Sequence, residues 1–154
     1  MHGQINHVSV NAVNMAESVE FYVELFGAEP IPAPNFGQPV QWLGLGGTQL
    51  HVFLEEATSR GGHHFAVTVD DLEPVYRAAQ RRGAFDWDGE GDGLRVLPGD
   101  VVQLYLRDPA GNLVEVDHHG VDRLPQDLRQ RCTPLSDVHP QSEKNMLSRL
   151  YVGD

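Results

Sequence analysis

The chain reads as an α+β protein. Two βαβββ modules are expected to form a cupped, open-barrel mixed sheet with its helices outside. Three observations lead to that reading. Residues 5–12 (INHVSVNA) and 62–69 (GHHFAVTV) are both strand-like, and a capped amphipathic helix ending at glycine follows each. The hairpin-like segments LGLGGTQLHVFLE and LRDPAGNLVEVDH then recur in the same order. The offsets are also regular: His7 and His64 lie 57 residues apart, while Gly47 to Gly111 and His51 to Glu115 are each 64.

Module one spans about residues 5–56. Its first strand leads to Asn14-Met15-Ala16-Glu17, a cap followed three residues later by a carboxylate. Val19, Tyr22, Val23 and Phe26 recur at helical spacing, and Gly27 supplies the stop. A short strand is expected at 28–31, then a loop rich in Pro and Gly over 32–39. A hairpin of 41–45 and 48–54 turns at Gly46-Gly47.

Module two, about residues 62–119, repeats the order. The strand 64–69 leads to Asp70-Asp71 as cap, with Pro74 tolerated in the first helical turn. Leu72, Val75, Tyr76 and Ala79 form a stripe for burial, and Gly83 ends the helix. A strand is expected at 84–88, then a Gly- and Asp-rich loop through Gly99. The last hairpin pairs 101–106 with 113–118 across Asp108-Pro109-Ala110-Gly111-Asn112, a strong turn sequence. Residues 1–119 thus form one domain. Residues 120–154 are an extension outside the repeat, with Met146, Leu147, Leu150 and Tyr151 placed for one face of a short terminal helix.

A length of 154 residues suits a single domain, and 40% hydrophobic content in patterned segments makes it globular rather than disordered. Eleven basic against 22 acidic residues give a net charge of −11, which repels phosphate backbones and anionic lipid. Nucleic acid and membrane are therefore excluded as expected partners, and a small-molecule substrate is expected instead. The single cysteine, Cys132, rules out an intrachain disulfide framework. With no apolar leader pattern at MHGQINHV, the chain is expected to be cytoplasmic.

Strand parity selects the candidate site. His7, Ser9 and Asn11 share one face of the first strand, and His64, Ala66 and Thr68 one face of the fifth. Glu115 and Asp117 likewise oppose Val114 and Val116. Apolar faces should meet the helices, leaving a polar stripe that has no stability rationale and so argues for a cavity. His7, His51, His64 and Glu115, three imidazoles and a carboxylate, suit a borderline divalent metal. His51 is equally readable as a hydrogen-bond donor beside the metal. His63 falls on the opposite face, and His118 and His119 read as a strand end. Trp42 and Phe53 read equally as pocket lining or as core.

The segments HVSVNAVNMAESVEFYVELFGAEP, HFAVTVDDLEPVYRAAQRRGA and YLRDPAGNLVEV resemble the vicinal oxygen chelate superfamily. Glyoxalase I, methylmalonyl-CoA epimerase, extradiol dioxygenases, and fosfomycin- and bleomycin-resistance proteins belong to it. The resemblance covers residues 5–119. It implies a divalent metal (Fe, Mn, Ni, Co or Zn) on His7, His64 and Glu115, with His51 at a fourth, more variable place. It also implies a homodimer. Two neighbouring substrate oxygens would chelate such an ion, which acts as a Lewis acid.

The activity implied first is that of a lyase or isomerase acting on a small chelating substrate, with Glu115 as the proton shuttle. An extradiol-type dioxygenase is the alternative, since Tyr105, the Asp108-Pro109-Ala110-Gly111 turn and Glu115 match that family's segment. Against it, Val96-Leu97-Pro98-Gly99 stands where those enzymes place an acid–base histidine. A third reading, from another class, is a metal-free small-molecule or drug-binding resistance protein. Phosphonate-type transfer is disfavoured because Arg107 stands nearly alone among inward basic residues.

Overall fold

The computed structural model describes residues 7–35, 38–55 and 63–147. They form two mixed sheets of four and five strands with few helices, and neither sheet closes into a barrel. The chain divides into two compact units, residues 1–65 with 107–113 and residues 66–106 with 114–154.

In the first unit, β1 (His7–Ala12), β2 (Glu29–Ile31), β3 (Val40–Leu45) and β4 (Thr48–Leu54) form a sheet in the order β1-β4-β3-β2. β1 runs parallel to β4, and β3 antiparallel to both β4 and β2. Helix α1 (Met15–Phe26) supplies the parallel crossover and packs on β3 and β4. The Asn14 side chain caps it by accepting from the N–H groups of Ala16 and Glu17, while its amide donates to Glu17 at 2.8 Å. At the other end Gly27 is left-handed (φ 64°). The Gly27 N–H donates to the Val23 carbonyl, and that of Ala28 to Tyr22, a paired closure that spares orphan carbonyls.

The buried face of α1 is Ser18, Phe21, Tyr22 and Leu25. The expected stripe of Val19, Tyr22, Val23 and Phe26 is thus rotated by about one residue, and Val23 lies exposed. Both sets have helical spacing. Packing chose the one that places Phe21 edge-on to both Tyr22 and Phe26.

The five-stranded sheet has the order β5-β8-β7-β6-β9. Its strands are β5 (His64–Thr68), β6 (Leu94–Leu97), β7 (Val101–Arg107), β8 (Leu113–His119) and β9 (Cys132–Pro134). Helix α2 (Leu72–Arg82), capped by Asp71 and stopped by Gly83, buries Leu72, Val75, Tyr76 and Ala79 as expected, together with Ala78. Two elements differ from the sequence reading. The strand expected at 84–88 shrinks to single bridges, Phe85 to Leu106 and Asp86 to Gly91. Part of the expected loop after it is instead the strand β6.

The extension belongs to the second unit. Leu124 and Leu128 are buried, short helices α3 (Gln126–Arg129) and α4 (Leu135–Val138) flank β9, and β9 pairs parallel with β6. Of the expected terminal helix only a 3-10 turn, Asn145–Leu147, falls within the described residues; Leu150 and Tyr151 lie outside them. No described helix is long and apolar enough to cross a membrane.

Candidate functional site

On the first unit's sheet the register sets the site. Trp42 on β3 is the cross-strand partner of His51 on β4, and Ser9 on β1 is the partner of His51 on its other side. Directly opposed residues share a face, so indole and imidazole lie flat on each other, 4.1 Å apart and 2° from parallel. The His7 ring stacks on the other side of His51 at 4.3 Å and 14°. His51 is therefore a middle layer, 6% exposed. Burial first, and the neighbouring His7 second, push its imidazole below the ordinary histidine value, which favours the neutral ring. Gln49 Oε1 lies 3.0 Å from His51 Nε2. These residues line a cavity of about 710 Å³ with Ser9, Gly47 and Phe53.

On the second unit's sheet the hairpin of β7 and β8 builds a buried polar network. The Asp108 N–H donates to the Asn112 carbonyl, and counting outward from that pair sets Tyr105 opposite Glu115 and Gln103 opposite Asp117. Gln103 Nε2 donates to Glu115 Oε1 at 2.6 Å and to Asp117 Oδ1 at 3.1 Å. The Tyr105 hydroxyl donates to Glu115 Oε2 at 2.6 Å. Both oxygens of a carboxylate only 6% exposed are thereby held. Burial, then the hydrogen bond and charge of Glu115, with Asp117 and Glu90 adding to them, push the Tyr105 phenol far above its ordinary value. It stays a neutral donor throughout the physiological range.

By cross-strand pairing Trp42 and Tyr105 hold corresponding places: each faces a candidate ligand, His51 or Glu115, across its hairpin. The structure brings His7 and His51 together, and Tyr105 to Glu115. His64 is exposed on β5 and lines a different, polar cavity of about 300 Å³ with Ser9, Asn11, His63 and Asn112. Among the described residues no group of three or more His, Cys, Asp or Glu is gathered to hold a metal ion. The donor set fits a borderline divalent ion in kind, since imidazole nitrogens and carboxylate oxygens are donors such an ion accepts.

One participant escaped the sequence reading. Gln103 shares strand parity with Tyr105, a signal that was present but carried no weight for an uncharged amide. Trp42 and Phe53, readable from sequence as pocket lining or core, both line the first unit's cavity, and the β3–β4 register adds the stack of Trp42 on His51. His118, taken as a strand end, lies inside β8, buried with Nδ1 3.2 Å from the Val69 carbonyl. It points away from Glu115 by parity and belongs to the core.

The model of the Glyoxalase/Bleomycin resistance protein/Dioxygenase superfamily matches residues 4–116. The chain is 26% identical over 131 residues to the mitochondrial methylmalonyl-CoA epimerase of Mus musculus, covering 75% of this chain and 72% of that one. It is 28% identical over 110 residues to a trivalent organoarsenical cleaving enzyme of Bacillus sp. (strain MD1), covering 69% and 67%. The structure of a lactoylglutathione lyase from Agrobacterium tumefaciens aligns with a TM-score of 0.58 at 21% identity, over 80% of this chain and 98% of that one. At that identity the likeness is one of fold.

Proposed function

Because the chain belongs to the Glyoxalase/Bleomycin resistance protein/Dioxygenase superfamily, we propose that it is a metal-dependent lyase or isomerase. Its substrate is a small carbonyl compound with two adjacent oxygens and an acidic C–H beside them. The observation that carries this reading is the Glu115 carboxylate, buried and gripped at 2.6 Å by both Gln103 and Tyr105. A carboxylate fixed in this way is a base of defined direction, and fixed orientation contributes much of what general-base catalysis achieves.

Glu115 takes the proton from the carbon beside the carbonyl and returns it to that carbon or its neighbour, so no atom is gained or lost. Tyr105 and Gln103 hold the carboxylate's direction while it is charged and while it carries the proton. His7, His51, His64 and Glu115 are the proposed metal donors. The bound ion supplies Lewis-acid stabilisation of negative charge on the substrate oxygen. The curated relatives support this class, since an epimerase of a 2-substituted acyl thioester must also move a proton beside a carbonyl.

Two experiments test the proposal. Proton exchange in deuterium oxide, followed by NMR on a 2-methylmalonyl thioester and on an α-keto hemithioacetal, should occur with wild type. It should fall by about 10²–10⁴-fold in Glu115→Gln. No exchange on either substrate by folded, metal-treated protein would end the isomerase reading. Elemental analysis of protein purified without a chelating column should find about one divalent ion per chain, lost in His7→Ala.

A metal-free binding protein is the second reading. The observation favouring it is that the first unit carries a formed cavity while no three donors are gathered among the described residues. Protein that stays metal-free after reconstitution, yet binds a small molecule, would establish it.

A further inference from the structure

We infer that Arg95 is the residue that selects the substrate: its guanidinium takes a carboxylate of the substrate lying outside the pair of chelating oxygens, in the place that Glu90 now fills. That the ligand is the substrate rests on the function proposed above. Arg95 stands on β6, in a stretch that the sequence marks as loop, and its cross-strand partner is Gln103 on β7. Directly opposed residues share a face. Arg95, Gln103 and Asp117 thus form one row, beside the pair of Tyr105 and Glu115. All five belong to the second unit.

The guanidinium is only half used. Its Nη2 donates to Glu90 Oε2 at 2.5 Å, while Nη1 is buried and, among the described residues, has no hydrogen-bond partner. A charged donor enclosed without an acceptor is costly. The arginine fork matches a carboxylate through two parallel bonds, and Glu90 makes one. The partners are also held unequally: the Arg95 side chain is 13% exposed and that of Glu90 41%. Glu90 stands between Gly89 and Gly91, where side chains restrict the backbone least, and Gly91 is left-handed at φ 63°. Glu90 therefore yields to a ligand that engages both nitrogens. Its charge is among those that push the Tyr105 phenol up, which sets the ion pair beside the Glu115 network. Asp117, buried in the same row, opposes the second charge that a phosphate would bring, so a carboxylate is the better match.

A matched pair of ligands isolates the charge. Malate and its 4-amide share the 2-hydroxy acid and differ in one group of the same shape, a carboxylate against an amide. By calorimetry on the full chain, malate should bind about ten-fold more tightly than the amide. Arg95→Met should bring the two affinities together, while Arg95→Lys, which keeps the charge, should retain part of the preference. Glu90→Gln removes the competing charge at an exposed position and should tighten malate by about three-fold.

Equal affinities in wild type, binding of neither ligand, or a preference unchanged in Arg95→Met overturns the inference. Malate binding that weakens in Glu90→Gln does the same. Tighter binding of 3-phospholactate than of malate would overturn the ligand class. Circular dichroism identifies an unfolded Arg95→Met, and Glu90→Gln then decides. Proton exchange is read separately. Carboxylate preference without exchange keeps the role of Arg95 and discards the isomerase; exchange without that preference does the reverse.

Discussion

Gln103 decides how Glu115 is held. Its amide bridges two buried carboxylates, Glu115 and Asp117, in a region where an unsatisfied charge costs far more than at the surface. Replacing it by leucine removes both bonds at similar volume. Gln103→Leu should lower turnover by about 10–100-fold, the range seen when a supporting residue is lost. Gln103→Glu should do worse, since it places a third carboxylate between the first two. Wild-type rates in Gln103→Leu would show that the amide only fills space.

Tyr105 gives a pH prediction. Its phenol titrates well above its ordinary value of 10.0, so the proton it donates to Glu115 remains in place on the alkaline side. Activity should therefore show no loss attributable to Tyr105 up to about pH 10. A falling limb near pH 8–9 that vanishes in Tyr105→Phe would contradict this. The His7–His51 contact and the buried Glu115 fall on residues that charge and parity mark, and Trp42 was readable as pocket lining or core. Gln103 was not marked, because an amide acquires meaning only from the residues it meets in the fold.

Among the elements, the β7–β8 turn shows how a chain segment is fixed by one buried carboxylate. Asp108 accepts from the N–H groups of Ala110 and Asn112, from the Asn112 amide and from the Tyr22 hydroxyl of α1. Burial still pushes its carboxyl above the ordinary aspartate range, and the hydrogen bonds pull the other way. A native pKa above the unfolded one means that stability falls as pH rises through that window. The Tyr22 bond offsets part of that fall, because it favours the charged form. Tyr22→Phe should thus cost little where Asp108 is protonated and about 1 kcal/mol once it is ionised. Denaturant titrations of both proteins from pH 4 to pH 7 measure the difference; a cost independent of pH refutes the assignment.

The extension offers a second test. Leu128 has no solvent exposure and lies just before the strand β9 that covers the edge of β6. Leu128→Ala should destabilise by about 2–5 kcal/mol, read as a fall in Tm. A change below about 0.5 kcal/mol would mean that the second unit does not depend on the extension.

Most elements were readable because their signals are local. The caps Asn14 and Asp71, the stops Gly27 and Gly83, and both turns act within a few residues. What escaped depends on partners far along the chain. β6 lies hidden in a Gly- and Asp-rich stretch and becomes a strand by pairing with β7 on one side and β9 on the other. The strand expected at 84–88 collapses as Asp86 accepts the N–H groups of Gly89 and Gly91 and turns the chain back.

At the scale of the whole molecule, charge sets how copies of the chain meet. Twenty-two acidic residues against 11 basic ones leave −11, while Trp87, Val138, Met146 and Leu147 expose large apolar groups. The homodimer that the sequence resemblance implies would then be favoured by apolar burial and opposed by mutual repulsion, and the two respond oppositely to salt. Repulsion between exposed charges is screened over a Debye length of about 8 Å at physiological ionic strength and about 30 Å at 0.01 M. Apolar burial is not weakened by that screening. Sedimentation velocity at fixed protein concentration should therefore show more dimer at about 0.3 M salt than at about 0.01 M. Association that weakens with salt would mean the copies are joined by ion pairs between their surfaces, a role the acidic excess leaves to only 11 cations. A monomer at every ionic strength would mean that these exposed side chains do not suffice to join two chains.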